Sequence, residues 1–305
     1  MPMDCSQKIP MVSVIIPTYK RSEMLPRAIA SVLGQTYSNI QVVVVDDNNP
    51  DTEYRNNTAQ LMERYSADTR VKYIKHSKNM NGSVARNTGI NNSDGEIVAF
   101  LDDDDFYYPE KIEKQVTYLL IHPEFHAVYC GWDRDGKVVT PYDEGNLSYN
   151  ILSGDHIIYT NVIMMWKADA IACGGWDETF MRHQEAAFLL RYFRNGGKIG
   201  VVPEVLVEFY VSDRSNAAGN PRKNEQQTMH YLNSYKDVID QCGIEKKGSD
   251  KKIWSHRYRS VVLCYLKYRD FMGAISFICR YCMKMPLRFT SDMIDYGVKR
   301  ITQRK

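Results

Sequence analysis

The sequence is poor in cysteine and contains nothing that reads as a membrane span. Its seven cysteines are odd in number and scattered over 305 residues, which excludes the dense disulfide framework of small secreted domains. Cys279 and Cys282 form a C-x-x-C in an apolar, helical-looking stretch with no second pair, so packed thiols are expected there rather than a zinc or redox centre. No uncharged apolar run approaches the roughly 18–20 residues that cross a bilayer. The opening MPMDCSQKIPMVSVIIPTYK has no secretory h-region, because its apolar run from Val12 to Ile16 is interrupted by Ser13 and stopped by Pro17. Internal repeats and low-complexity segments are also missing. These absences lead to an expectation of a reducing, cytoplasmic setting.

What is present is the composition of a folded protein, 44% hydrophobic and 25% charged, which argues against disorder. The net charge of +2 hides an asymmetry. Residues 251–305 hold 13 Lys and Arg against 3 Asp and Glu, a net of +10, which leaves −8 on residues 1–250. No nucleic-acid-binding module is recognisable, and the basic residues cluster only in the tail, so a nucleic-acid partner is not expected.

Strand-like and helix-like segments alternate through the first half. MVSVIIP (11–17) and IQVVVVDD (40–47) are apolar runs of the kind buried on both faces of a parallel sheet. VKYIKH (71–76) and EIVAFLD (96–102) read as further strands, and helices are expected over 22–37, 52–66, 82–93 and 109–121. This predicts an α/β fold with a Rossmann-like doubly wound sheet and right-handed crossovers. A hairpin is expected over 127–142 around an Asp-Gly turn, a helix over 185–197 and a strand over 198–211. The chain reads as helical from about 222 onward, with Gly243 to Lys252 as the expected linker.

The polar clusters follow the strands: Thr18-Tyr19-Lys20, then Asp46-Asp47-Asn48-Asn49, then the four consecutive aspartates Asp102 to Asp105. Ligands of such sheets sit beyond the carboxyl ends of the strands, so the three clusters would converge on one rim. Four adjacent carboxylates repel one another. At a strand end alternate side chains share a face, which sets Asp102 with Asp104 and Asp103 with Asp105. Paired carboxylates suit a hard divalent cation, Mn²⁺ or Mg²⁺, whose shell is completed by phosphate oxygens and water. The alternative is a solvated turn that only ends a strand. In NMNGSVARNTGI, a helix N-terminus and Arg86 can hold a diphosphate, although Arg86 can equally pair with a surface carboxylate.

The order VSVIIPTYKR, QVVVVDDNN, NGSVARNTGI and GEIVAFLDDDDFYYPEKIEKQ resembles the family 2 glycosyltransferases of the A-type fold over about residues 11–215. The resemblance implies a catalytic domain over 1–220, with a nucleotide-sugar half to about 125 and an acceptor half from 126, followed by a helical extension over 221–305. It implies metal-dependent transfer of a sugar, with inversion, from a nucleoside diphosphate (UDP favoured) to a hydroxyl of a saccharide or lipid-linked saccharide, in cell-surface polysaccharide assembly. Position by position, Pro17, Thr18 and Tyr19 match residues that line the base, and Asp47 the aspartate that recognises it. Asp102, Asp103 and Asp104 match the DxD motif, with Asp103 near the ribose and Asp104 on the metal. Glu185, in GGWDETFMRHQEAAFLLRYF, stands where the family usually has an aspartate as catalytic base. Two other readings of this stretch are a helix N-terminal carboxylate at Glu185 and His183 as the base. Many relatives carry a histidine near 208–216; here there is none, and Asp213 or a water would take its place.

Two rival functions stand beside this one. A sugar-phosphate nucleotidyltransferase would carry a Gly-rich loop after the first strand, and IIPTYKRSE has no glycine. A non-catalytic nucleotide- or carbohydrate-binding protein would bind without turnover. Trp132, Trp166 and Trp176 read as sugar-stacking rings or as ordinary core. The basic, aromatic tail fits three arrangements: a peripheral contact with an anionic membrane, packing on the catalytic domain, or pairing in a homodimer.

Overall fold

A computed structural model describes residues 9–210 and 220–302, the side chains of 299–302 excepted; Asp213 lies outside the described residues. The elements run β1 (Val12–Thr18), α1 (Leu25–Leu33), β2 (Ile40–Asp46), α2 (Glu53–Glu63), β3 (Val71–Lys75), α3 (Gly82–Asn92), β4 (Ile97–Phe100), β5 (Phe106–Tyr107) and α4 (Lys111–Ile121). They continue with β6 (Ala127–Arg134), β7 (Lys137–Val139), α5 (Ser148–Ser153), β8 (Met164–Trp166), α6 (Lys167–Ala172), α7 (Gln184–Arg194) and β9 (Ile199–Phe209). The helices α8 (Pro221–Ser234), α9 (Lys236–Glu245), α10 (Ser249–Lys267), α11 (Phe271–Arg280) and α12 (Pro286–Thr302) follow.

The described strands form one mixed sheet in the order β3-β2-β1-β4-β8-β6-β9-β5, with β7 hairpinned onto β6. β3, β2, β1 and β4 are parallel, whereas β8 runs antiparallel between β4 and β6. The α/β class is as expected. The central strands are mostly apolar, and every residue of β2 and β4 is buried, as in strands covered on both faces. Helix α3 approaches β1 so closely that a Cβ at Gly89 would stand 2.3 Å from Ile15 Cγ2.

Element ends differ from the sequence pattern for local reasons. Helix α1 starts at Leu25 rather than near Ser22, because Pro26 occupies its first turn, where a missing N–H costs nothing. Thr52 caps α2 by accepting from the Arg55 N–H, and Asn81 caps α3 by accepting from Ser83 and Val84. Asp135 and Gly136 both take positive φ, the geometry of a two-residue hairpin between β6 and β7. The expected linker over 243–252 is corrected: α9 runs to Glu245 and α10 begins at Ser249, joined by a turn in which Gly248 takes φ +88°.

Two compact units are distinguished. The first holds the whole sheet and comprises the described residues up to Asn146, Ile158–Thr179, and Arg191 through β9. The second gathers Leu147–Ile157, Phe180–Leu190 and the helices from α8 onward. In the second unit, Arg257 of α10 donates to the carbonyls of Ile151 and Leu152 at the end of α5, a cation placed where unpaired carbonyls collect. Tyr235 donates to the Ala187 carbonyl at 3.0 Å. Cys282 is buried and Cys279 exposed, and both are free thiols. No helix among the described residues is long and apolar enough to cross a membrane.

Candidate active site

The ends of β1, β2 and β4 meet, as the strand-end clusters suggested. The Thr18 hydroxyl donates to Asp103 Oδ2 at 2.7 Å, and the Asp47 N–H to the Thr18 carbonyl at 2.9 Å. The Lys20 N–H donates to Asn48 Oδ1 at 2.9 Å, with Lys20 held at φ +62°. A non-glycine residue in that region is strained and persists only where neighbours hold it. Pro17 pairs in register with Val45, and Tyr19 turns outward, with the Lys20 ammonium 5.0 Å from its ring centre.

The four aspartates form a turn in which the Asp105 N–H donates to the Asp102 carbonyl. The expected alternation survives: Asp103 and Asp105 are buried, while Asp102 and Asp104 are partly exposed. Each carboxylate has a partner. Arg86 donates to Asp102 Oδ1 at 2.6 Å and Arg21 to Asp104 Oδ2 at 2.6 Å. Arg21 also reaches Asp103 at 3.4 Å. Asp105 accepts from the Tyr210 N–H at 2.7 Å and from the Asn161 amide, whose own oxygen accepts from the Asp102 N–H at 3.0 Å. Arg27 donates to the Asp104 carbonyl at 2.7 Å and lies between the rings of Phe106 and Tyr210.

These partners do not neutralise the turn. Burial, with the charges of Asp104 and Asp102, pushes the Asp103 carboxyl up to about 7 against the pull of Thr18 and Arg21. Burial and the same two neighbouring charges push Asp105 up to about 8, and burial with Asp102 raises Asp104 as well. Desolvation and like-charge repulsion act together here.

Asp47 is turned inward. Its Oδ1 accepts from His76 Nδ1 and the Met80 N–H, both at 2.8 Å. Its Oδ2 accepts from the Asn79 amide at 2.8 Å and the Asn81 N–H at 3.0 Å. The carboxylate therefore organises the 76–81 loop that starts α3, and α3 carries Arg86. The Arg86 guanidinium lies 4.8 Å from the ring centre of Trp176. Trp176 is core rather than a sugar platform: it is 1% exposed and packs edge-on against Phe100. Trp132 is likewise buried, packed edge-on against Tyr159 and Phe209. The turn at Gly174-Gly175 brings Trp176 to α3, where the Asn87 side chain accepts from the Trp176 N–H and donates to its carbonyl.

Glu185 lies in the second unit, in the first turn of α7. His183, in the same unit, stacks on Tyr231 and takes φ +60°. Burial and the charges of Arg257 and Arg182 pull its imidazole down to about 4. So low a value leaves it neutral but weakly basic at pH 7, a poor match to proton abstraction.

The acidic turn fits a divalent cation by the chemistry of its donors. Asp102 and Asp104 are hard, partly exposed carboxylates, each with an oxygen on an arginine, in a turn where burial and the Asp102 charge raise the Asp104 carboxyl. Among the described residues no group of three or more His, Cys, Asp or Glu side chains is placed to hold a metal ion; Mg²⁺ and Mn²⁺ are commonly held by one or two carboxylates with phosphate and water. Arg21, Arg27 and Asn161 escaped the sequence reading. The KR pair after Tyr19 was a visible signal for Arg21; nothing in sequence links Asn161 to residues nearly sixty positions away.

The sheet and its strand-end site place the chain in the α/β class, and comparison with known proteins gives its family. Residues 13–173 match the family described as "Glycosyl transferase family 2", and the chain belongs to that family. It is 35% identical over 146 residues to an uncharacterised glycosyltransferase of Rickettsia conorii, covering 46% of this chain but only 22% of that protein's length. It is 26% identical over 216 residues to the amylovoran biosynthesis glycosyltransferase AmsB of Erwinia amylovora, covering 66% of this chain and 70% of that one. The crystal structure of S. aureus TarS 1–349 in complex with UDP-GlcNAc has a similar fold, with a TM-score of 0.60 at 16% identity, over 90% of this chain and 92% of that one.

Proposed function

We propose that the chain transfers a sugar from a nucleoside-diphosphate sugar, a UDP-sugar first among them, to a hydroxyl of a saccharide or lipid-linked saccharide with inversion, in cell-surface polysaccharide assembly. The observation that carries the reading is the acidic turn at the end of β4, bonded to the end of β1 through Thr18 and flanked by Arg21 and Arg86. Family membership supports the reaction class. The UDP-GlcNAc held by TarS and the amylovoran role in the name of AmsB support the donor and the setting.

In this reading Pro17, Thr18 and Tyr19 line the nucleoside, and Asp103 sits towards the ribose. Asp102 and Asp104 would hold Mn²⁺ or Mg²⁺, which supplies Lewis-acid charge to the departing diphosphate. Arg86, already braced by Trp176, contributes a fixed counter-charge. Glu185 takes the proton of the acceptor hydroxyl as that oxygen attacks the anomeric carbon from the face opposite the diphosphate. The sugar passes through an oxocarbenium-like transition state.

The test is a nucleotide-release screen over UDP-, GDP- and dTDP-sugars with Mn²⁺ or Mg²⁺, run on the native chain, Asp104→Ala and Glu185→Gln. Turnover with one donor, abolished in Glu185→Gln while nucleotide affinity stays nearly intact, is expected. Metal-assisted nucleotide binding with no turnover on any donor would identify a binding protein instead. Equal loss of affinity and turnover in Glu185→Gln would remove Glu185 from the role of base.

A further inference from the structure

The second unit leaves an apolar surface uncovered, and its chemistry indicates what covers it. Helix α10 behaves as a core helix, burying Ile253, Tyr258, Val261, Val262 and Tyr265. Helices α11 and α12 pack against it on one side only. Phe277 of α11 meets the Tyr258 ring edge-on at 5.6 Å, and Arg259 of α10 pairs with Asp292 of α12 at 2.8 Å. The other sides remain apolar. On α11, Phe271, Met272 and Ile275 are 59%, 77% and 56% exposed. On α12, Leu287, Ile294 and Val298 are 87%, 59% and 55% exposed. Spacings of seven and four keep the α12 set on one helix face, and on α11 Phe271 and Met272 flank Ile275 at spacings of four and three. Such stripes on neighbouring helices mark an interaction site rather than ordinary surface scatter.

The charges around the stripes are one-sided. Lys267, Arg269, Lys284 and Arg288 are exposed among the apolar residues of 266–298, and Arg280, also exposed, pairs with Glu225 at 3.2 Å. Of the three acids in that span, Asp270 accepts from the Gly273 N–H at the start of α11 and Asp292 is engaged by Arg259, leaving Asp295 exposed. A two-fold pairing of this face would set the same cations against themselves, since such an interface is self-complementary. An anionic lipid surface answers both features at once, taking the apolar stripes into the headgroup boundary and attracting the cations.

We infer that α11, α12 and the segment joining them form a docking face for an anionic bilayer surface, lying on the membrane rather than spanning it. Binding requires neither donor nor metal, so its failure would leave the transfer reaction untouched.

The experiment is co-sedimentation of the full chain with phosphatidylcholine vesicles, with or without about 30% phosphatidylglycerol. The chain is expected to pellet with the anionic vesicles only and to be released by about 0.5 M salt, which screens surface charge. Ile275→Glu with Leu287→Glu, and separately Lys284→Glu with Arg288→Glu, should each lower partitioning at least about ten-fold. All four residues are exposed, so thermal melts should not move. Ile121→Glu, at an exposed apolar site in the sheet-bearing unit, is the control and should bind as the native chain does. No binding to anionic vesicles, or binding unchanged in both double variants, overturns the inference. A concentration-dependent dimer by light scattering that the Ile275→Glu/Leu287→Glu pair abolishes would overturn it in favour of a second copy of the chain.

Discussion

Asp47→Asn separates two roles that one carboxylate can play. A direct reader of the nucleobase keeps acceptor oxygens turned to the ligand, so its loss would lower nucleotide affinity and spare stability. The geometry describes a different job. Two donors converge on each oxygen of Asp47, from His76 and Met80 on one side and from Asn79 and Asn81 on the other. Asparagine keeps one acceptor and turns the other position into an NH₂ that faces two donors. Two hydrogen bonds to a buried charge are lost, at about 1.5–3 kcal/mol each. A total of about 3–6 kcal/mol corresponds to a fall in Tm of roughly 10 °C for a chain of this size. The loop over 76–81 would loosen, and Arg86 with it, so nucleotide affinity should fall as a consequence of lost order. Differential scanning fluorimetry alongside UDP titration with Mn²⁺ checks both. An unchanged Tm with affinity down ten-fold or more would refute the positioning role and return Asp47 to the base.

Four further outcomes are expected. His183 is depressed from 6.5 to about 4, so its share of stability is complete above about pH 6.5 and is lost as pH falls towards 4, up to about 3 kcal/mol. His183→Gln should flatten that acid limb of a Tm–pH profile, and an identical limb would refute it. The raised Asp103 and Asp105 act in the opposite sense, their share of stability falling as pH climbs from the ordinary carboxylate range until about 7 and 8; Asp105→Asn should therefore flatten that limb of the profile, and an identical limb would refute it. Gly89→Ala forces a methyl group against Ile15 and should cost about 1–3 kcal/mol by denaturant melt, and an unchanged midpoint would contradict the close packing of α3 on β1. Asn161→Leu strips the Asp102 N–H and the Asp105 carboxylate of a shared partner; it should cost about 2–4 kcal/mol and weaken Mn²⁺-assisted UDP binding, and unchanged UDP binding would exclude Asn161 from support of the turn.

Local pattern alone determined much of this protein. Continuous apolar runs, helical spacing and turn residues announced the parallel strands of the first half. The strand-end clusters announced one rim, because side-chain period and crossover handedness are consequences of short-range sterics. The alternation of Asp102 and Asp104 against Asp103 and Asp105 was legible for the same reason. Tertiary structure alone decided what each group on that rim touches. Asp47 faces inward, Trp176 braces Arg86, and Asn161 ties the acidic turn from almost sixty residues away. It also grouped Phe180–Leu190, and Glu185 with it, with the C-terminal helices, and left α11 and α12 with bare apolar faces. Hydrogen-bond partners and burial are properties of three-dimensional neighbours, and no spacing along a chain encodes which distant side chain arrives.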